Sequence, residues 1–206
     1  MAQQLAYLKE TASQTAGPYV HIGLIPHMAG FDIFQNNFGG VLAGADTPGE
    51  PIAIEGRVID GTGALVRDAL VEIWQADANG HYAHPADKRQ AAAGFRGWGR
   101  TGTDFDTGVY RFDTIKPGRT PWRNGKISAP HINVWIVARG INIGLQTRMY
   151  FSDEEAANAD DPVLNAIEHK SRVPTLIAKR QDKPGKATYL FDIVLQGDNE
   201  TVFFDI

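Results

Sequence analysis

The 206-residue sequence contains no cysteine. That absence excludes disulfide staples, cysteine zinc sites, iron–sulfur clusters and thiol nucleophiles together. No stretch approaches the roughly 18 apolar residues that read as a membrane span. Residues 1–10, MAQQLAYLKE, have neither the basic start nor the apolar run of a secretory signal. Runs of five or six like charges are also missing. Lys plus Arg is 20 against 24 Asp plus Glu, for a net charge of −4, whereas a nucleic-acid-binding domain is more often basic. The expectation is a cytoplasmic protein with no nucleic-acid and no membrane partner. There is no Gly-x-Ser-x-Gly elbow, no phosphate-cradling glycine loop, no βαβ alternation and no internal repeat.

What the sequence has in quantity is turn residues, 22 glycines and 11 prolines, in a chain that is 43% hydrophobic. Residues 1–50 read as an irregular arm, punctuated by Gly17-Pro18, Gly39-Gly40 and Pro48-Gly49. Its Tyr19, Ile22, Leu24, Ile25, Phe31, Ile33, Phe34 and Phe38 would each cost roughly 1.5–3 kcal/mol to leave in water. The arm is therefore expected to pack on a partner surface.

Residues 51–206 read as the core. Ile52, Ile54 and Val58 alternate with Glu55 and Arg57, and Asp60-Gly61 marks a hairpin turn. Further strands are expected over Ala69–Trp74, around Tyr110 and Phe112, over His131–Arg139, Leu145–Phe151, Thr188–Leu195 and Thr201–Ile206. Strand side chains alternate, so His131, Asn133, Trp135, Val137 and Arg139 share one face. A helical insert interrupts around 152–170, with Ser152 and Glu155 spaced as a capping box and Asp161-Pro162 as a second start. Short strands at this spacing predict an all-β fold, a β-sandwich or barrel.

Candidate chemistry is sparse. His81 and His84 flank Tyr82 as a weak metal pair. His131 and Asn133 stand two apart on one strand face, but an amide oxygen is a poor transition-metal ligand. Arg139 and Arg148 suit either a carboxylate contact or a surface ion pair. Thr15-Ala16-Gly17-Pro18-Tyr19 is a turn that can line a pocket. These residues alone do not reach a reaction.

A resemblance does. Val71–Tyr82 (VEIWQADANGHY), Tyr110–Gly118 (YRFDTIKPG), Pro121–Gly125 (PWRNG), Ala129–Asn133 (APHIN), Ala138–Ile143 (ARGINI), Leu176–Arg180 (LIAKR) and Thr201–Asp205 (TVFFD), in this order, resemble the intradiol ring-cleavage dioxygenases. They are most similar to members built from two homologous subunits that act on protocatechuate. The resemblance runs from about residue 13 to the end and implies a β-sandwich. In that family the catalytic subunit holds Fe(III) with two tyrosinates and two histidines. Those positions match Tyr82, Thr120, His131 and Asn133 here, and a nearby arginine matches Ser128. Two ligand types are replaced. The resemblance therefore implies a non-iron-binding alpha subunit, with no catalytic residue and no metal of its own. Its implied partner is a homologous catalytic beta subunit that carries the Fe(III), in a hetero-oligomer of αβ units serving aromatic catabolism, with protocatechuate and O2 as substrates. It also implies that Thr15, Gly17, Pro18, Tyr19 and Arg139 border the partner's substrate pocket. A non-enzymatic β-sandwich binding module and an enzyme with an altered ligand set are the alternatives.

Overall fold

The structure is a computed structural model and describes residues 12, 14–35 and 39–205. In chain order its strands are β1 (Pro51–Ile59), β2 (Leu70–Gln75), β3 (Trp98–Gly102), β4 (Val109–Ile115), β5 (Thr120–Pro121), β6 (Ile127–Ser128), β7 (His131–Val137), β8 (Leu145–Phe151), β9 (Ile177–Asp182), β10 (Ala187–Leu190) and β11 (Ile193–Val194). The helices are α1 (Val20–Leu24), α2 (Glu155–Ala159) and α3 (Pro162–Ala166), with short 3₁₀ turns beside them.

Pairing gives two layers. One runs β4-β1-β10-β9, with β11 continuing along the far end of β1. The other runs β8-β7-β2-β3. A two-residue parallel contact, Tyr150 with Ile177 and Phe151 with Ala178, joins them through β8 and β9. The alternating apolar sets of both layers meet in one core. Ile52, Ile54, Val58, Tyr110 and Phe112 come from the first layer. Val71, Ile73, Ile132, Val134 and Ile136 come from the second. This is the sandwich that the strand rhythm implies.

The structure corrects several sequence readings. Asp60-Gly61 turns the chain, but only Ile59 and Leu65 bridge, and β2 then joins the opposite layer instead of pairing with β1. Residues 201–205 form no strand, and Phe204 makes an isolated bridge to Gln146. Strands β3, β5, β6 and β9 were not read from the sequence. Ser152 is no helix cap, because its hydroxyl accepts from the Arg180 N–H at 3.0 Å, across to β9. Asp161 is one: its carboxylate accepts from Val163 and Leu164 N–H, and Pro162 opens α3. Leu164 then packs with Tyr150, Leu176 and Val202 in a second cluster under the insert. In the arm, only Ile25 of the named apolar residues is fully buried; Phe38 lies outside the described residues.

Candidate functional site

Tyr82 sits in a loop that a buried carboxylate organises. Asp77 is fully buried, and its oxygens accept from the backbone N–H of Asn79 (2.9 Å), His81 (2.9 Å) and Ala92 (2.8 Å). Asp87 accepts from Tyr82 N–H at 2.9 Å and is held in turn by both Arg89 nitrogens. Gly80 has φ +77°, and a Cβ there would lie 2.0 Å from the Arg119 carbonyl. Glycine is thus what lets this loop close on the segment leading to Thr120. His81 and His84 do not form a ligand pair. Nδ1 of His81 meets the Gln90 carbonyl at 3.1 Å, while Nδ1 of His84 accepts from Ala86 N–H and its ring edges Trp74.

The β5–β6 hairpin sets Thr120 opposite Ser128, and both are buried. The Thr120 hydroxyl is a hydrogen-bond partner of the Tyr82 phenol. The phenol stacks on Trp74 at 6.0 Å. Burial pushes it above its ordinary value of 10, so it stays protonated and neutral. Ser128 Oγ is buried without a hydrogen-bond partner.

His131 and Asn133 come from β7. His131 is 4% exposed, and its Nδ1 donates to the Ala129 carbonyl at 2.8 Å. Burial first, then the Arg148 charge, lowers its pKa from 6.5 to about 4, so the imidazole is neutral near pH 7. The sheet register places Tyr150 opposite His131 and Arg148 opposite Asn133. Tyr150 donates to Asp161 at 3.0 Å, and the other Asp161 oxygen accepts from Ala129 N–H at 2.8 Å. The structure therefore brings the four matched positions into one cluster. Its common charged neighbour is Arg148, which bears on Tyr82, His131 and Tyr150 alike. The sequence marked Arg148 only as an arginine on a returning strand. Its place opposite Asn133 is a register fact that no local signal carries.

The second set lies elsewhere. Thr15 Oγ1 accepts from Gly140 N–H at 2.7 Å, which puts Thr15–Tyr19 against the turn after β7. Arg139 follows that strand, is 58% exposed, and pairs with Asp68. Thr15, Gly17, Pro18 and Tyr19 are exposed, and a side chain at Gly17 would meet nothing in this chain. Arg139 is eight residues from His131 along an extended chain, roughly 26 Å at strand rise. The two sets occupy opposite ends of one strand.

Residues 35–197 match the family profile described as Dioxygenase. The alpha chain of protocatechuate 3,4-dioxygenase from Pseudomonas putida is 52% identical over 96% of this chain and 97% of its own length. The chain belongs to the intradiol dioxygenase family. Within it, the protocatechuate 3,4-dioxygenase beta chain of Burkholderia cepacia is 38% identical, over 74% of this chain and 67% of its own. The crystal structure of 3-chlorocatechol 1,2-dioxygenase from Rhodococcus opacus 1CP shares the fold. Its TM-score is 0.60 at 22% identity, over 79% of this chain and 68% of that one.

Proposed function

We propose that this chain is the alpha subunit of an αβ protocatechuate 3,4-dioxygenase. That enzyme is the oxidoreductase that opens 3,4-dihydroxybenzoate with O2 to 3-carboxy-cis,cis-muconate. The beta subunit holds the iron, and this chain shapes the substrate pocket beside it. The near full-length likeness to an alpha chain supports the subunit assignment.

The observation that carries the division of labour is the donor set at Tyr82. Ferric iron is a hard cation suited to anionic oxygen and imidazole nitrogen. Here Thr120 offers a neutral hydroxyl where an anionic oxygen is needed, and Asn133 a neutral amide where an imidazole is needed. Arg148 adds a positive charge where a cation would have to sit. These residues do not fit the ion, and no chemical step is assigned to them.

The other end of β7 does the work of this chain. Protocatechuate carries a carboxylate on the ring position away from its two hydroxyls. Arg139 offers that group a charge that no accessible pH removes. Thr15 and the Gly17-Pro18 turn add a hydroxyl and a low-bulk backbone edge, and Tyr19 an exposed ring. Tyr19, Phe31, Ile33 and Phe34, exposed by 75%, 49%, 66% and 52%, give the arm an apolar face for the partner subunit.

Iron analysis tests the assignment. Purified αβ complex is expected to carry one iron per αβ unit. That iron should remain when Tyr82 of this chain is changed to Phe. Loss of iron in Tyr82→Phe would place the metal in this chain and overturn the reading.

A further inference from the structure

Arg148 enters the proposed function only as a charge that opposes a cation, and that leaves its own hydrogen-bonding capacity unused. Its guanidinium lies over the Trp122 ring at 5.2 Å. Its Nη1 is sealed from solvent and meets no hydrogen-bond partner. Among the described residues no ion pair includes it. The nearby buried carboxylate, Asp161, is already committed to Ala129, Val163 and Leu164 N–H and the Tyr150 hydroxyl. The side chain as a whole is half-buried, and a sealed guanidinium N–H that meets no acceptor is costly to keep. Its neighbours Tyr82 and His131 are both neutral, so they do not balance it.

Arg148 lines a pocket of about 280 Å³. Trp122, Val163 and Phe204 give it apolar and aromatic walls, and the Asn133 amide supplies a second polar group. Asp205 also lines it and disfavours a second negative charge on any occupant. The volume is at the small end for ligand sites, which begin at about 300 Å³. One cation, the amides of Asn133 and Gln146, aromatic walls and room for a single ring define the occupant.

We propose that this pocket binds a small aromatic monocarboxylate, with the carboxylate on Arg148 and Asn133 and the ring against Trp122 and Phe204. The site is distinct from the substrate pocket assigned to Arg139 at the other end of β7. A bidentate guanidinium–carboxylate contact supplies the missing counter-charge and uses the idle N–H. Inorganic phosphate shares the charge but gains nothing from the aromatic walls.

The test is equilibrium dialysis of radiolabelled 4-hydroxybenzoate against the purified αβ complex. Arg148→Met is expected to lose one bound equivalent per αβ unit relative to wild type, with the KM and kcat for protocatechuate unchanged. Arg148→Lys keeps the charge but not the fork, and should weaken that equivalent at least tenfold. Arg139→Ala should retain it, so this proposal and the proposed function fail separately. The same number of equivalents in wild type and Arg148→Met would overturn the proposal. So would unchanged affinity in Arg148→Lys, or displacement by phosphate as effective as by benzoate.

Discussion

Replacing Arg139 with alanine tests the proposed contact between this side chain and the substrate carboxylate. The side chain is 58% exposed and its one ion pair is with Asp68. Only the Arg139 end of that pair is exposed, the Asp68 side chain being 12% exposed, so thermal unfolding of Arg139→Ala is read beside the kinetics to separate a folding loss from a binding loss. The proposed contact to the substrate carboxylate is a charge-assisted hydrogen bond, a type worth about 1.5–3 kcal/mol. At 1.36 kcal/mol per factor of ten, that converts to about a 10- to 150-fold rise in KM for protocatechuate. The carboxylate takes no part in bond making, so ground state and transition state lose equally and kcat should hold. Catechol lacks the group, so its turnover should barely change. Asp68→Asn is the counterpart: it frees the guanidinium and should leave the KM for protocatechuate equal or lower. Steady-state kinetics of the αβ complex on both substrates, at fixed ionic strength, decide the matter. Equal losses on protocatechuate and catechol would show that Arg139 only braces the β7 turn.

Two predictions concern the Tyr82–Arg148 end. Asp161→Ala removes the cap of α3 and orphans the Ala129 N–H and the Tyr150 hydroxyl, at a cost on the order of 3–5 kcal/mol; thermal unfolding reads it, and a loss under about 1 kcal/mol would refute the assigned role. His131 titrates at about 4 in the folded chain against 6.5 when free. The unfolded chain therefore binds the extra proton between these values, and stability falls as pH drops from 6.5 to 4, by a ceiling of about 3 kcal/mol. Urea midpoints at pH 7, 5 and 4 should fall more steeply for the wild type than for His131→Gln. Parallel profiles would show that the imidazole is not the group responsible.

Elements that declare themselves locally were legible in the sequence. The Ile132, Val134, Ile136 alternation gives β7 its buried face, and Asp161-Pro162 carries its own cap chemistry. Strand β3 was not, because Trp98-Gly99-Arg100-Thr101-Gly102 has no apolar alternation and is buried by pairing with β2. Ser152 misled for a related reason: its hydroxyl had a helix N-terminus nearby in sequence, but a strand N–H took it from far along the chain. The four positions matched to iron ligands of the family were singled out by resemblance alone. Spacing could not show that Tyr82 reaches Thr120 across two loops. Nor could it show that Arg148 lacks a carboxylate, since an absent partner leaves no mark in a sequence.

The placement of the two residue sets at opposite ends of β7 bears on how such a chain can diverge from a metal-bearing relative. Substitutions at the Tyr82 end alter side chains on the far side of β7 from the turn that carries Arg139, eight residues on from His131. One copy of a duplicated subunit can thus surrender its chemistry without disturbing the surface it lends to the other copy. On the proposed function, inactivation becomes specialisation: a subunit without iron is free to vary at one pole while a pocket shared with its partner constrains it at the other.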